Sequence, residues 1–222
     1  MDNKRLVIAI DGPAGAGKST IAKLVAEKLG YVYIDTGAMY RALTLKFLQT
    51  GQCYDATLVG KLAQRLELSF LPEHGNNRVF LDGQEVTEEI RSHAVTTNVS
   101  LIATNGVARE ALVDLQRKMG RTGGVVMDGR DIGTVVFPQA DLKIFLTASV
   151  EERAHRRYEE LIAKGQTLDF ENLKQEIAAR DKLDSEREIS PLCCAADAVY
   201  LDSSKLDIAQ VVATILDLYR RK

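Results

Sequence analysis

Residues 12–19 read Gly-Pro-Ala-Gly-Ala-Gly-Lys-Ser, which is a glycine, four residues and then Gly-Lys-Ser, the spacing of a phosphate-binding loop. The apolar run Leu6–Ile10 leads into this stretch and a helical pattern over 19–29 leads out of it. Glycines let the backbone curl until several N–H groups point at one anion, and the helix adds its positive N-terminal end. The stretch therefore predicts a strand, a phosphate-binding loop and a helix.

The same loop predicts which atoms bind a nucleoside triphosphate and magnesium. Lys18 can reach the β- and γ-phosphates, and the hydroxyl of Ser19 is a magnesium ligand. The predicted cofactor-binding residues are Gly12, Pro13, Ala14, Gly15, Ala16, Gly17, Lys18, Ser19 and Thr20. The alternative is a glycine-rich strand-to-helix turn that binds nothing.

The composition is that of an ordinary globular protein: 222 residues, 45% hydrophobic and 27% charged, with a net charge of −2. This charge argues against a broad surface for nucleic acid or membrane, and no apolar run is long enough to span a bilayer. We expect no N-terminal targeting signal, because the residues before the first strand are few and polar. The three cysteines, Cys53, Cys193 and Cys194, fit reduced thiols better than a disulfide framework. We therefore expect a cytoplasmic protein, and a monomer, since nothing suggests a large apolar patch.

Hydrophobic periodicity predicts alternating strands and helices with one interruption. Strands are predicted at 6–10, 31–34, 125–128, 142–146 and 198–201, and helices at 19–29, 38–50, 58–66, 93–119, 149–164, 170–182 and 208–219. A small antiparallel sheet is predicted from 67–71, 78–81 and 84–86, with the turn residues Pro72, Gly75, Asn76 and Asn77 and an Asp82-Gly83 hairpin turn. The alternation predicts a mostly parallel sheet covered by helices, with ligands at the carboxyl ends of its strands.

Arginines near this predicted edge indicate which nucleotide chemistry the chain performs. The sequence contains neither the Asn-Lys-x-Asp nor the Asp-x-x-Gly motif of GTPase switches. Instead, Arg41 follows the second strand, and Asp128, Arg130 and Asp131 end or follow a buried strand. Because arginine binds phosphate in a bidentate fork, several forks would suit two phosphates that must be brought together. Asp128 resembles a carboxylate that holds Mg²⁺; the alternative is an acid closing a turn with Gly129.

A second group of arginines lies further along the chain. Arg153, Arg156 and Arg157 share one predicted helix, and Arg180, Asp184 and Arg187 lie further on. For the first three the alternative to phosphate binding is a solvated helix face that forms ion pairs with neighbouring glutamates.

The sequence shows no obvious general base. His74 and His93 lie in the predicted insert and His155 in the arginine-rich helix. An alcohol acceptor would usually need a base, whereas a phosphate monoester, with a second pKa of about 6, is largely dianionic at neutral pH. The sequence thus favours phosphoryl transfer to a phosphate by positioning and charge neutralisation. The alternatives are a kinase for another small molecule, such as an alcohol, UMP or AMP, and an ATP-binding regulatory or nucleic-acid-associated protein.

Four motifs together resemble the bacterial-type cytidylate kinase family: Asp11–Thr20, Asp35–Arg41, Asp128–Pro138 and Glu152–Arg157. The resemblance implies a single α/β kinase domain over 1–222, a three-layer sandwich with a mostly parallel sheet. Its implied parts are a core at 1–51, 104–150 and 190–222, a nucleoside-monophosphate-binding insert at 52–103, a lid at 151–166 and a substrate-contacting helix at 169–188. The implied reaction is the phosphorylation of CMP or dCMP by ATP with Mg²⁺.

The resemblance also implies a role for each matching residue. Thr36, Arg41, Arg130 and Arg187 would hold the CMP phosphate, Ser100, Arg109 and Asp131 would read cytosine, and Arg180 and Asp184 would hold the ribose; Asp128 completes the substrate-binding set. For Ser100 the alternative is a plain buried serine. The implied catalytic residues are Lys18, Asp128, Arg130, Arg153 and Arg157, with Mg²⁺ held by Ser19 and, through water, by Asp128.

Overall fold

The computed structural model of the chain describes residues 5–73, 76–163 and 165–222. The predictions that placed His74 in the insert, Gly75 in a turn and a helix end at Lys164 fall outside the described residues.

Within these ranges the chain alternates strands and helices, as expected. The strands are β1 (Val7–Asp11), β2 (Val32–Asp35), β3 (Leu68–Glu73), β4 (Asn76–Leu81), β5 (Gln84–Glu85), β6 (Val125–Gly129), β7 (Leu142–Thr147) and β8 (Val199–Asp202). The α-helices are α1 (Lys18–Leu29), α2 (Thr36–Leu48), α3 (Ala56–Gln64), α4 (His93–Ile102), α5 (Gly106–Gly120), α6 (Val150–Ala163), α7 (Phe170–Glu186) and α8 (Ile208–Arg220). A 3₁₀ turn covers Glu89–Arg91 and a π-helical turn covers Ile132–Val136. None of the described helices is both long enough and apolar enough to cross a bilayer.

The main sheet runs in the order β2-β6-β1-β7-β8. β1 pairs in parallel with β6 and β7, and β7 pairs in parallel with β8. In this register Ile10 lies opposite Asp128 and Asp11 lies opposite Gly129, so Asp11 and Asp128 lie near the same edge of the sheet. The predicted mostly parallel α/β sheet is confirmed.

The chain divides into two compact units, of which the first comprises the described parts of Met1–Tyr33 and Gly123–Lys222. Its core joins the sheet to α1 and α8. Its almost completely buried aliphatic side chains include Ile8, Ile10, Val126, Ile144, Leu146 and Ile215. Burial of these aliphatic side chains fixes the strand edge from which the phosphate-binding loop departs.

The second unit is Ile34–Thr122, which contains the predicted insert. It carries the antiparallel sheet β3-β4-β5, in which Pro72 belongs to β3 and Asn76 and Asn77 belong to β4, so the turn predicted at these three residues is wrong. Leu81 pairs with Gln84 across a two-residue loop in which Asp82 and Gly83 have φ values of 49° and 80°. Positive φ at both loop residues is the requirement of a type I′ turn, so the predicted hairpin is confirmed.

The helices predicted over 93–119 and 170–182 differ most from the structure. The single helix expected over 93–119 is interrupted between α4 and α5, because the Asn105 side chain accepts a hydrogen bond from Ala108 N at 2.9 Å and starts a new helix. The Asn105 amide also donates to Ala56 O at 2.8 Å, which fixes the break. The helix expected over 170–182 continues to Glu186 and ends where Arg187 becomes extended.

Candidate active site

The phosphate-binding loop is shaped by glycines that another residue could not replace without strain. Gly12 has φ +149°, and a Cβ there would lie 1.9 Å from Leu146 O. Gly17 has φ +82° and precedes the first residue of α1, Lys18. No side chain among the described residues caps this helix N-terminus. The N-terminal N–H groups of α1 are thus available to an anion, as the motif predicts.

Lys18 is a buried charged residue at the start of α1. Its Nζ donates to Pro13 O at 2.7 Å, and the side chain is buried. Burial lowers the pKa of Lys18 well below its ordinary value, and the charges of Arg130 and Arg180 lower it further, while the carboxylate of Asp128 acts in the opposite direction. An anion placed beside Lys18 would relieve this repulsion.

Asp128 receives hydrogen bonds on both carboxylate oxygens. Ser19 Oγ donates to Oδ2 at 2.9 Å, and Tyr33 OH donates to Oδ1 at 2.8 Å. Gly129 belongs to β6, and the Asp128 side chain points to these two hydroxyls rather than closing a turn. The structure therefore brings the two predicted magnesium residues together. The sequence analysis missed Tyr33, for which the short strand β2 gives no signal beyond its alternation.

A network of acids and arginines follows the carboxyl end of β6. Arg130 Nε donates to Asp184 Oδ2 at 2.8 Å. Arg187 lies 3.8 Å from both Asp184 and Asp131 and donates through Nε to Ser190 O at 2.6 Å. Burial acts to raise the pKa of Asp184, but the charges of Arg130, Arg180 and Arg187 and the hydrogen bond from Arg130 hold it below its ordinary value. The network keeps the guanidinium groups charged and in fixed places.

Arg153 differs from the other arginines of its helix. It is buried, and its guanidinium donates to Ala148 O at 2.9 Å and to Ala14 O at 2.8 Å, with an ion pair to Asp181 at 2.6 Å. Arg153 thereby contacts the backbone of the phosphate-binding loop directly. The sequence analysis missed Asp181, whose position beside Arg180 was its only signal.

Arg156 and Arg157 form the ion pairs that the alternative interpretation expected. Arg156 Nε donates to Glu152 at 2.9 Å, and its Nη2 donates to Ser203 O at 2.8 Å. Arg157 Nη1 lies 2.6 Å from Glu160, and its side chain is 36% exposed. Such exposed pairs within one helix contribute little to stability, so Arg157 can exchange its partner for a stronger anion.

The second unit holds the remaining predicted substrate residues. Thr36 is the buried first residue of α2. Arg41 Nη1 donates to Thr96 Oγ1 at 3.0 Å. Arg109 is buried on α5, donates to Ala103 O at 3.2 Å and lies 5.4 Å from the Tyr40 ring centroid, a cation–π distance. Ser100 is half-buried on α4.

The sequence comparisons with known proteins all identify the same family. The sequence model of the cytidylate kinase family matches residues 8–221. A cytidylate kinase of Exiguobacterium sibiricum is 56% identical over 216 residues, 97% of this chain and 97% of the relative. A cytidylate kinase of Bacillus velezensis is 53% identical over 221 residues, 99% of each chain. Among solved structures, a shikimate kinase from Bacteroides thetaiotaomicron aligns with a TM-score of 0.51 at 16% identity over 97% of this chain and 98% of that one, which shows a shared fold alone.

Proposed function

The chain belongs to the cytidylate kinase family, and we propose that it transfers the γ-phosphoryl group of ATP to CMP or dCMP, giving ADP and CDP or dCDP. The observation that carries this proposal is the buried Lys18 of the phosphate-binding loop, on which the positive charges of Arg130 and Arg180 act. Such a cluster is unfavourable in the empty protein and becomes favourable when phosphates enter.

The donor nucleotide is assigned to the loop and the start of α1. Residues 12–20 would surround the ATP phosphates with backbone N–H groups, and Lys18 would contact the transferred group. This assignment is supported by the positive φ values of the loop glycines. It is also supported by the N-terminus of α1, which no side chain of the described residues caps.

Magnesium fits the oxygen atoms of Ser19 and Asp128. These hard donors lie 2.9 Å apart, and the described residues contain no cluster of three or more His, Cys, Asp or Glu that could hold a metal alone. A site with few protein ligands is typical of Mg²⁺ held partly by substrate phosphates. We assign Ser19 as a ligand and Asp128 as a partner through water. The bound ion would neutralise charge on the phosphates.

In the first unit, Arg130 and Arg187 are assigned to the acceptor phosphate and Asp131 to the cytosine. Both arginines keep a planar fork, and both are oriented by Asp184. Asp184, with its lowered pKa, stays an acceptor for the ribose hydroxyls, and Arg180 is assigned to the same hydroxyls.

In the second unit, Thr36 and Arg41 are assigned to the acceptor phosphate and Ser100 and Arg109 to the cytosine. Thr36 supplies a hydroxyl at a helix N-terminus, where anions are favoured. Cytosine presents a carbonyl, a ring nitrogen and an amino group, so it needs both donors and an acceptor, which an arginine, a serine and an aspartate supply.

Transfer then needs positioning and charge stabilisation rather than a base. The acceptor phosphate, with a second pKa of about 6, attacks as a dianion at neutral pH. Lys18 and Arg130 would stabilise charge on the moving phosphoryl group. Arg153, which touches the loop at Ala14, and Arg157 are assigned to the same task.

We also propose that the protein acts as a monomer in the cytoplasm, without nucleic-acid or membrane partners. The net charge of −2 and the three cysteines, each a free thiol in the structure, support this proposal.

An acceptor panel tests the function. ADP release is measured with ATP and Mg²⁺ and with CMP, dCMP, UMP, AMP or no acceptor. We expect fast release with CMP and dCMP and slow release otherwise. Fast release with AMP alone would point to another kinase, and equal, slow release in every sample would contradict a kinase.

A further inference from the structure

Asp11 is a buried carboxylate to which no role has yet been given. It is the last residue of β1 and is 5% exposed. Its Oδ1 accepts a hydrogen bond from Ile132 N at 2.8 Å, and its Oδ2 accepts one from Gly133 N at 2.7 Å. Both oxygens are therefore bound by the backbone of a single turn.

The residues next to Asp11 and Ile132 in the sequence belong to two different parts of the proposed site. Gly12, the first residue of the phosphate-binding loop, follows Asp11 directly. Ile132 begins the π-helical turn and directly follows Arg130 and Asp131. One side chain therefore ties the loop assigned to ATP to the segment assigned to the acceptor.

Only a carboxylate satisfies both donors of this turn. Asparagine offers one oxygen and an amino group, which would face a second N–H. Burial raises the pKa of Asp11 to about 6, although the bonds from Gly133 and Ile132 favour the ionised form. An ionised carboxylate costs free energy when it is buried. We therefore interpret Asp11 as a residue that fixes the position of the turn rather than one that adds stability.

Gly133 makes the close approach possible. A Cβ at this residue would lie 3.3 Å from Asp11 Oδ2 and 3.1 Å from Lys143 Cδ, so a larger residue would push the turn away from the carboxylate. The close contact therefore depends both on the Asp11 carboxylate and on the absence of a side chain at Gly133.

We propose that Asp11 is a positioning residue that holds Arg130 and Asp131 in register with the phosphate-binding loop. This proposal rests on the proposed function of the site. It assigns Asp11 no contact with substrate; the residue acts through the backbone of Ile132 and Gly133. Misplacement of reacting groups by about 1 Å can cost about a hundredfold in rate, so loss of this contact is expected to affect transfer more than binding.

The test is Asp11→Asn, with Asp141→Asn as the matched control. Asp141 Oδ2 accepts from Val7 N at 2.9 Å, which is the same kind of contact at the other end of β1. For Asp11→Asn we expect kcat with CMP to fall by about tenfold or more, while the Kd of a non-hydrolysable ATP analogue changes by less than about threefold. Asp141→Asn keeps kcat within about twofold. An unchanged kcat in Asp11→Asn, an equal fall in the control, or a parallel loss of ATP-analogue binding overturns the proposal.

Gly133→Ala serves as a second variant should Asp11→Asn fail to fold. Its Cβ disturbs the same contact from the other side, and the same separation of kcat from ATP-analogue binding is expected. Amide hydrogen exchange in the nucleotide-free wild type gives a measurement independent of activity. Slow exchange at Ile132 and Gly133 supports the contact, and exchange at the rate of an exposed loop overturns it. Wild-type turnover with CMP in the same assay reports separately on the proposed function.

Discussion

Lys18 and Asp184 are buried charges of opposite sign that respond to the same arginines. Burial lowers the pKa of Lys18 and Arg130 and Arg180 lower it further, so its charged form is disfavoured. For Asp184 burial acts to raise the pKa, but the same arginines outweigh it and favour the charged form. The arginine contribution to each shift indicates a positive electrostatic potential at these two side chains. Two negatively charged phosphates are the groups that this arrangement accommodates.

Arg187→Lys tests the importance of the arginine fork. The variant keeps the charge but loses the planar pair of donors, so we expect the KM for CMP to rise about tenfold or more, with the KM for ATP changed by less than about twofold. Steady-state kinetics with each nucleotide varied in turn measures both values. Arg220→Lys is the control, since Arg220 is exposed and pairs only with Asp217 among the described contacts. Equal increases in both KM values would remove Arg187 from the acceptor site.

Asp11 gives a prediction for the pH dependence of stability. Because its pKa is raised from 3.8 to about 6 in the folded protein, the folded state binds this proton more tightly than the unfolded state. The contribution of this group is most favourable below pH 4 and is lost as the pH rises through 6, by about 3 kcal/mol in total. Denaturant unfolding of the nucleotide-free protein at several pH values, compared with Asp11→Asn, isolates this difference. The variant should lack the decline, and parallel curves for the two proteins would contradict the assignment.

At the scale of elements, the phosphate-binding loop depends on close contact between β1 and β7. Gly12→Ala places a methyl group 1.9 Å from Leu146 O as well as requiring a strained φ. Gly30→Ala, at the end of α1, meets the strained φ alone, since no atom of the described residues beyond its chain neighbours lies within 4 Å of its Cβ. We expect Gly30→Ala to cost about 1–2 kcal/mol in the free energy of unfolding and Gly12→Ala to cost more and to weaken ATP binding. Chemical unfolding and nucleotide titration measure these effects, and equal costs would mean that the loop tolerates the methyl group.

The elements also show what could be predicted from the sequence. The loop, the parallel strands and the Asp82-Gly83 hairpin were predicted because each has a local signal in glycine placement or hydrophobic period. The break between α4 and α5 was missed, because the periodicity continues across it and only the capping by Asn105 reveals it. The contacts of Arg153 with Ala14 and Asp181 also have no local signal, since they join segments far apart in the chain. The substrate roles of individual residues stay predictions.

At the scale of the whole molecule, a chain with a net charge of −2 gathers several arginines and their acidic partners in one region. The parallel sheet brings the ends of β1 and β6 to one edge; α7 adds Arg180, and the residue after α7 is Arg187. Asp184 accepts a hydrogen bond from Arg130, and Asp128 accepts one from Ser19. Local charge of this kind serves small anionic substrates, whereas a broad basic surface would serve a polymer.

The most direct measurement of the central claim is a product balance with ATP, CMP and Mg²⁺, in which CDP, ADP and inorganic phosphate are separated and quantified. We expect CDP and ADP in equal amounts, and phosphate release without CMP at least about tenfold slower than CDP formation with it. ADP accompanied by an equal amount of inorganic phosphate, with no CDP, would contradict transfer between two bound nucleotides and leave only a nucleotide-hydrolysing site.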